Sequence, residues 1–392
     1  MTRDSGGPCA IVSAALLPTS WRSTRHTLCD SRGMQKTTTA LATPLREQLD
    51  RLAAFEPVGA PVLSLYLDVR RDEQGKPRHE AFLRKAWVER GRALKSEARK
   101  SFDRDVERIN AHLAGDIPAS VNGLVVFACA AADNFFETIQ LEAPVEQNWL
   151  FIGPMPHLYP LARLNDQFPR YAALLLDTNS ARIFVFHLGR AHITRQVNNI
   201  KTRRTSMGGS AQARYQRHVE NFHLHHMKEV VAVLERVVRD EVINQIVVAC
   251  DEVARPLLMD QLPKHLAEKI VDVVKLDIKT PEHQVLAETM DTLREKDAET
   301  DASQVEAMLG AWHGNGLGVA GPEDTLKALD LGQVEELLIT SRDVERMDER
   351  AASQANELVT KAQNSAARIR FIEDPELLAD VGGVGALLRF KI

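Results

Sequence analysis

The hydrophobic positions along the first part of the chain predict strands mixed with helices. In "PVLSLYLDV" Leu63, Leu65 and Leu67 alternate with other residues and lie on one face of a strand. "LREQLDRLAAF" has helical spacing, and "NGLVVFAC", "FFETIQLEA" and "NWLFIGPM" predict strands. A charged helical region from about residue 79 to 113 has the apolar stripe Phe82, Trp87, Ala93 and Phe102. This part predicts a mixed α/β domain.

The middle of the chain predicts an antiparallel meander followed by alternating helices and strands. Two strands flank the turn "DTNSA" and a third follows "LGR". A helix to about Asp240, the strand "QIVVACD", a helix from Val253 and the strand "KIVDVVKL" come next. Alternation at this spacing predicts a layer of helices on a partly parallel sheet.

A long helical region from about Glu282 to Trp312 leads into the last part. There, "GPEDTLKALDLG" predicts a helix closed by Gly332, and "VEELLIT" predicts a strand. "RAASQANELVTKAQNSAARI" predicts another helix, and "VGGVGALLRFKI" the final strand. This part has strands and helices of its own, so we expect it to fold alone from about residue 305.

A chain of 392 residues is longer than one core usually covers, so several domains are expected. The predicted fold class is α/β (α+β) in three domains, 34–166, 167–304 and 305–392. Residues 1–33 lack a convincing period and are interpreted as a disordered tail or a misassigned start before Met34.

Composition and overall charge narrow the class of protein. The chain is 44% hydrophobic and 26% charged, with a net charge of −5, which is typical of a soluble globular protein. No run approaches the roughly 20 apolar residues of a membrane span. Cys129 and Cys250 stand in apolar runs, which indicates buried thiols. We expect a cytoplasmic protein without cofactors and with neither membrane nor DNA among its partners.

One stretch departs from this acidic average. Between Thr178 and Val219 there is no acidic residue, so positive charge is concentrated there as contact with phosphates requires. The cations of this stretch are Arg182, Arg190, Arg195, Lys201, Arg203, Arg204, Arg214 and Arg217. The alternative is an ordinary solvated helix face preceded by a flexible loop.

A glycine loop lies inside the basic stretch, in "TSMGGSAQARYQRHVENFHLHH". Gly208 and Gly209 allow positive φ and a close approach of the backbone, and Ser210 is a predicted N-cap. The helix that follows has the apolar stripe Tyr215, Val219, Phe222, Val230, Leu234 and Val237. Its other side carries Arg214, Arg217, Asn221, His225 and Lys228.

Four segments resemble the archaeo-eukaryotic class 1 release factor and Pelota superfamily, in its bacterial branch. They are "VNGLVVFACAAADNFFETIQLEAPVEQNWLFIGPMPHLYPL", "YAALLLDTNSARIFVFHLGR", "EDTLKALDLGQVEELLIT" and "GGVGALLRFKI". The resemblance implies an RNase H-like middle domain with the loop "GGSAQ". It also implies an α/β/α C-terminal domain like the kink-turn-binding ribosomal proteins.

The resemblance also implies a role for the glycine loop. Gly208, Gly209, Arg214 and Tyr215 match the family pattern "GGQ…RF", whose loop reaches the peptidyl-transferase centre. Ser210 takes the place of the glutamine, and the nearest glutamine is Gln212, a displacement also found in Vms-type nucleases. The implied catalytic residues are Gly208, Gly209, Gln212 and Arg214. The candidate nucleic-acid-binding residues are Lys201, Arg203, Arg204, Arg214 and Arg217.

Three functions remain open at this point. The first is a factor that acts on ribosome-bound peptidyl-tRNA and frees stalled peptides, by ester hydrolysis or by cleavage of the tRNA 3′ end. Its partners would be the ribosome, tRNA and a translational GTPase. The second is a non-catalytic ribosome-binding rescue or hibernation factor resembling Pelota or Balon. The third is an RNA-binding protein that never meets a ribosome.

Other motifs are interpreted structurally. His218, His223, His225 and His226 have no cysteine or carboxylate at ligand spacing, so no metal site is predicted. "GNGLGVAG" satisfies G-x-G-x-x-G but follows a helix, which indicates a turn rather than a dinucleotide site. "NNIKTRR" contains the letters of a stop-codon motif that belongs to the first domain of release factors. We interpret it as coincidence in the middle domain.

Overall fold

The computed structural model describes residues 45–57, 59–198, 210–342 and 349–391, without the side chains of 96, 198, 210–220 and 349. Three sheets follow one another along the chain. This arrangement confirms the predicted mixed α/β class.

The first sheet is antiparallel and is covered on both faces. Its strands are β1 (Val62–Asp68), β2 (Gly123–Cys129), β3 (Phe135–Leu141) and β4 (Trp149–Gly153), in the order β3-β2-β1-β4. Leu63, Leu65 and Leu67 face the helices α2 (Glu80–Ala93) and α3 (Ser96–Leu113), as the alternation predicts. Tyr66 is buried on the opposite face, toward α1 (Leu45–Ala53).

The charged region before residue 113 forms a helical hairpin. Leu94, between α2 and α3, has extended backbone angles, and Trp87 packs edge-on against Phe102 with ring centroids 5.9 Å apart. Ala93 is exposed, so its predicted place in the apolar stripe is wrong. The stripe turns away from the sheet where α2 ends.

The second sheet combines the predicted meander with parallel strands. Its strands are β5 (Tyr171–Leu176), β6 (Ser180–His187), β7 (Arg190–Asn198), β8 (Gln245–Cys250) and β9 (Ile270–Val274). The order is β7-β6-β5-β8-β9, antiparallel from β5 to β7 and parallel from β5 through β8 to β9. One face packs against α5 (Ser210–Asp240), α6 (Ala254–Met259) and α7 (Lys264–Ala267). The other packs against α8 (Glu282–His313).

The third sheet contains two strands that the sequence pattern did not indicate. Its strands are β10 (Gly318–Ala320), β11 (Val334–Thr340), β12 (Arg368–Ile372) and β13 (Val384–Leu388), in the order β10-β13-β11-β12. Its other elements are α9 (Pro322–Asp330), α10 (Glu349–Asn364) and a 3-10 helix (Pro375–Val381).

The helix predicted to run through Ile369 is corrected by the structure. Helix α10 ends at Asn364, and Ala366 takes a left-handed conformation with φ 52°. The chain then returns as β12, parallel to β11. Pairing with a buried strand therefore overrides the local helical pattern.

The glycine segment predicted as a turn contains strand β10. A Cβ on Gly318 would lie 2.5 Å from the Met308 carbonyl oxygen, so this position needs glycine for the strand to lie against α8. Gly321, with φ 89°, precedes α9. Close packing at Gly318 and the positive φ at Gly321 account for these glycines of the G-x-G-x-x-G pattern without a dinucleotide.

Helix α8 connects the second and third sheets. At 1.5 Å per residue, its length from Glu282 to His313 is about 48 Å. Val285 and Leu293 pack on the second sheet, whereas Val305 and Met308 pack on the third. One continuous helix thus belongs to two cores.

The first and third sheets share an apolar core. Leu52 of α1 and Tyr66 of β1 belong to the same buried cluster as Leu337 of β11 and Val359 of α10. An isolated fragment from residue 305 would expose this face to water. The domain boundaries stay predictions. The third part, however, shares a large part of its apolar core with the first sheet.

Asn356 joins the two sides of this core by hydrogen bonds. Its Oδ1 accepts from the amides of Leu158 at 2.6 Å and Tyr159 at 3.3 Å, and its Nδ2 donates to the Pro156 carbonyl at 3.0 Å. The Tyr159 hydroxyl donates to the Thr340 carbonyl at 3.2 Å. The segment entering α4 (Tyr159–Gln167) is therefore fixed to α10.

The two described cysteines agree with the prediction of buried thiols. Cys129 and Cys250 are free and buried, as predicted, and burial raises the pKa of both thiols. Cys9 and Cys29 lie outside the described residues. Within the described ranges, no helix has both the length and the apolar character needed to cross a membrane.

We predict that Asn356→Ala lowers the free energy of unfolding by about 3 kcal/mol, because it leaves buried amide and carbonyl groups without partners. Thermal unfolding of the full chain measures the effect. Gln363→Ala is the control, since Gln363 lies on the same helix but bonds Asp50 at the surface. Its cost should stay within about 0.5 kcal/mol. Equal losses in both variants would contradict the role of Asn356.

Candidate functional site

Strand β7 and helix α5 lead into and out of the predicted glycine loop. Asn198, the last residue of β7, pairs with Ser180, and α5 begins at Ser210. The helix is therefore confirmed, with Ser210 as its first residue rather than its cap. Lys201, Arg203, Arg204, Gly208 and Gly209 lie outside the described residues. Gln212, Arg214 and Arg217 fall in the opening turns of α5, where the structure describes the backbone alone.

The start of α5 lies far from the place where the helix is fixed to the sheet. Met227, Val230 and Leu234 are buried against the second sheet, whereas Asn221 and His225 are exposed. From Ser210 to the first of these buried side chains, the helix rises about 25 Å. The opening turns of α5, residues 210–225, therefore form an arm based on the β5–β6 turn.

His226 fixes the base of the arm. Its side chain is fully buried and hydrogen-bonds the Ser180 backbone, and burial lowers its pKa. Asp177 Oδ1 accepts from the amides of Asn179 and Ser180, each at 2.6 Å, which holds the turn in shape. His226 is thus a core histidine.

Among the described residues, nothing supports metal binding by the four histidines at positions 218, 223, 225 and 226. There, no group of three or more His, Cys, Asp or Glu side chains is placed to hold a metal ion. His223 is half-buried beside Phe222, and His225 is exposed. The side chain of His218 is not among those described.

Arg182, part of the acid-free stretch, has a structural role. Its Nη1 donates to the carbonyls of Ile278 at 2.9 Å and Thr280 at 2.7 Å, and its guanidinium lies 4.7 Å from the centre of the Phe184 ring. Burial lowers its pKa. It ties the second sheet to the segment before α8 and is not free for phosphates.

Two further cations of that stretch are also engaged with the fold. Arg190 forms an ion pair with Glu142, which follows the first sheet's edge strand. Arg195 is half-buried on β7, opposite Ile183 of β6. The cations left as candidates for phosphate contact are those between residues 201 and 217.

The arrangement at the arm suits positioning more than acid–base chemistry. The titratable groups described at its base, His226 and Asp177, are occupied in holding the β5–β6 turn. The roles assigned to Gly208, Gly209, Gln212 and Arg214 stay predictions.

The structure also shows a cleft that sequence reasoning missed. Its volume is about 790 Å³, and it is bordered by α1, α4, α8 and β12. Carboxyl groups in it surround the Arg370 side chain, and burial raises the pKa of Asp166 to about 7. No local motif could indicate this cluster, because its members come from distant segments.

Two family models match the chain. The model of bacterial archaeo-eukaryotic release factor family 10 matches residues 156–294, and the model of eRF1 domain 3 matches residues 300–392. The first match contains the whole arm. A comparison with curated proteins gave no match.

Several solved structures are similar at low identity. The archaeal translation termination factor aRF1 is 18% identical, covering 88% of this chain and 96% of its own, with a TM-score of 0.24. Dom34 of S. cerevisiae, a translation termination-like factor, is 12% identical over 69% of this chain and 79% of its own, with a TM-score of 0.41. Archaeal Pelota, from a ribosome-bound model with ABCE1, is 16% identical over 92% and 97%, with a TM-score of 0.40. The similarity to release factors therefore rests on the two family models, which match residues 156–294 and 300–392.

We predict that Arg182→Ala lowers the free energy of unfolding by about 2 kcal/mol, because two charge-assisted hydrogen bonds and the Phe184 contact are lost. Arg190→Ala should cost less than about 1 kcal/mol, since its ion pair is exposed to solvent. Thermal unfolding of both variants gives the comparison. An Arg182 variant as stable as the wild type would show that this arginine has no structural role.

Proposed function

The chain is a release-factor-like protein of the bacterial archaeo-eukaryotic type, and on this premise we propose that it frees stalled peptides from ribosome-bound peptidyl-tRNA. The observation that carries the proposal is the coincidence of the arm with the family 10 match at residues 156–294. Its partners in this proposal are the ribosome, tRNA and a translational GTPase.

The geometry of the arm supports this activity. An arm whose tip, at Ser210, stands about 25 Å from a rigid base can enter a narrow site while the sheet stays outside it. Lys201, Arg203, Arg204 and Arg217 lie in an acid-free stretch, so phosphates along the path would attract the arm.

Ester hydrolysis would need little more from the protein. Two glycines at 208 and 209 allow backbone N–H groups to approach the ester and donate to the developing oxyanion. The Gln212 amide can orient a water molecule without ionising, which places the attacker close to the carbonyl carbon. In this route the tRNA stays whole.

Cleavage of the tRNA 3′ end is the second route at the same site. A ribose 2′-hydroxyl would lose its proton to water and attack the adjacent phosphorus, which breaks the bond from phosphorus to the 5′-oxygen of the next nucleotide. That 5′-oxygen would take up a proton and leave, and a 2′,3′-cyclic phosphate would remain on the shortened tRNA. Arg214 would stabilise the charge on the phosphate oxygens. Gln212 would assist by hydrogen bonding. In this route the tRNA is shortened.

A non-catalytic ribosome-binding factor is the alternative, and one observation favours it. Ser210 occupies the position at which the family pattern has glutamine, and Gln212 lies two residues further along. Since the helix already begins at Ser210, Gln212 lies in its first turn. A loop that only docks would tolerate this displacement.

The deciding experiment is incubation of the protein with ribosomes that carry doubly labelled peptidyl-tRNA. Separation of free peptide, intact tRNA and shortened tRNA distinguishes the two chemistries. Tight binding with neither product would establish the non-catalytic factor.

We predict that replacing both Arg203 and Arg204 by Glu weakens ribosome or tRNA association, because fewer counterions are released on binding. Cosedimentation over a series of salt concentrations should show reduced binding and a shallower salt dependence. The matched control is Arg236→Glu with Arg239→Glu, at the far end of α5. Unchanged cosedimentation of the loop variant at every salt concentration would argue against contact between the loop and phosphates.

We predict that Gln212→Ala lowers the rate of product formation by roughly a hundredfold, or about 3 kcal/mol of barrier, with little change in binding. Gln216→Ala, one turn further along α5, serves as the control and should keep the wild-type rate. Arg214→Ala should impair both binding and turnover. If Gln212→Ala and Gln216→Ala behave alike, Gln212 has no catalytic part.

A further inference from the structure

Carboxyl groups gather around Arg370 where α8 passes from the second sheet to the third. Arg370 Nη1 donates to Asp301 Oδ1 at 3.1 Å, and its Nε donates to Glu336 Oε1 at 3.3 Å. Asp297 lies one turn before Asp301 on α8, and Asp166 stands near the end of α4. We call Asp166, Asp297, Asp301, Glu336 and Arg370 the junction cluster.

Asp166 links α4 directly to the edge of the third sheet. Its Oδ2 accepts from the Phe371 amide at 3.0 Å, on the side of β12 that faces away from β11. Gln167 Nε2 donates to Glu373 Oε1 at 3.0 Å beside it. These two bonds hold the end of α4 against β12.

The junction cluster contains four carboxyl groups and one guanidinium group, so its charges do not balance. Burial is the main cause that raises the pKa of Asp166, to about 7, and it also raises the pKa values of Asp297 and Asp301. Repulsion from Asp297 and Asp301 adds to the shift at Asp166, while the Phe371 amide and Arg370 oppose it.

Other charged groups border the cleft but are placed nearer to solvent. Arg163 of α4 is half-buried and donates to the Arg342 carbonyl at 3.4 Å. The remaining charged groups are exposed, so water screens them. They are Arg46 and Asp50 of α1, Glu146, Arg294 of α8, Arg368 of β12 and Glu373.

The direction of the pH effect follows from Asp166. Its pKa is about 7 in the folded protein and 3.8 as an ordinary carboxyl, so between these values the closed junction binds more protons than the open one. Stability of the contact therefore falls as the pH rises through this window. A protonated Asp166 still offers its oxygen to the Phe371 amide.

We propose that the junction cluster is a proton-operated latch, which holds α4 against β12 at mildly acidic pH and loosens as the pH rises through neutrality. Because α8 packs on both the second and third sheets, loosening here would change how firmly the arm-bearing sheet is held to the third. The latch rests on these contacts and on the burial of Asp166, and it stands whether or not the proposed function is correct.

Hydrogen–deuterium exchange of the full-length protein tests the latch. In the wild type, exchange of the β12 segment 366–373 should accelerate by about tenfold or more between roughly pH 5.5 and pH 8, beyond the intrinsic chemical effect. Asp166→Asn keeps an oxygen that accepts from the Phe371 amide but cannot ionise. Its exchange should stay near the slow wild-type value throughout.

Two further variants make the test decisive even if Asp166→Asn fails to fold. Asp297→Asn removes a like charge that raises the pKa of Asp166, so the acceleration of exchange should be smaller than in the wild type and should level off at a lower pH. Asp50→Asn, an exposed carboxyl in the same cleft, should match the wild type. No excess acceleration in the wild type, or the same acceleration in Asp166→Asn, would overturn the latch.

Discussion

The apolar core between the first and third sheets is the contact on which the other parts depend. Leu52 and Tyr66 meet Leu337 and Val359 there, and removal of such side chains from water is the main favourable term in folding. The core brings together the two ends of the described chain. Backbone groups that would lose water at this contact are satisfied by Asn356. The second sheet is then attached to this base through α4 and α8.

This arrangement explains how an arm can be both long and well placed. The β5–β6 turn, His226 and the buried face of α5 hold its base. The cations of the acid-free stretch fall into two groups. Arg182 and Arg190 serve the fold, while contact with phosphates is proposed for the cations between residues 201 and 217. Binding and stability can therefore be altered separately.

The junction cluster has a different physical character from both the core and the arm. Burial of carboxyls is unfavourable unless they are paired or protonated, and Arg370 pairs with only Asp301 and Glu336 among the cluster's carboxyls. Burial raises the pKa of Asp166, which favours its protonated form. A contact of this kind is weaker than an apolar one and depends on conditions, which suits a place where two parts of a molecule adjust.

Local pattern in the sequence determined the strands β1, β5 and β8 and the helix α5, because alternation and helical spacing are read from neighbouring residues. It misplaced the end of α10 and missed β12, since strand pairing with β11 outweighs local helical preference. Only the tertiary structure decided that Arg182 is structural and that residues 166, 297, 301, 336 and 370 meet. Contacts between distant segments leave no periodic trace along the chain.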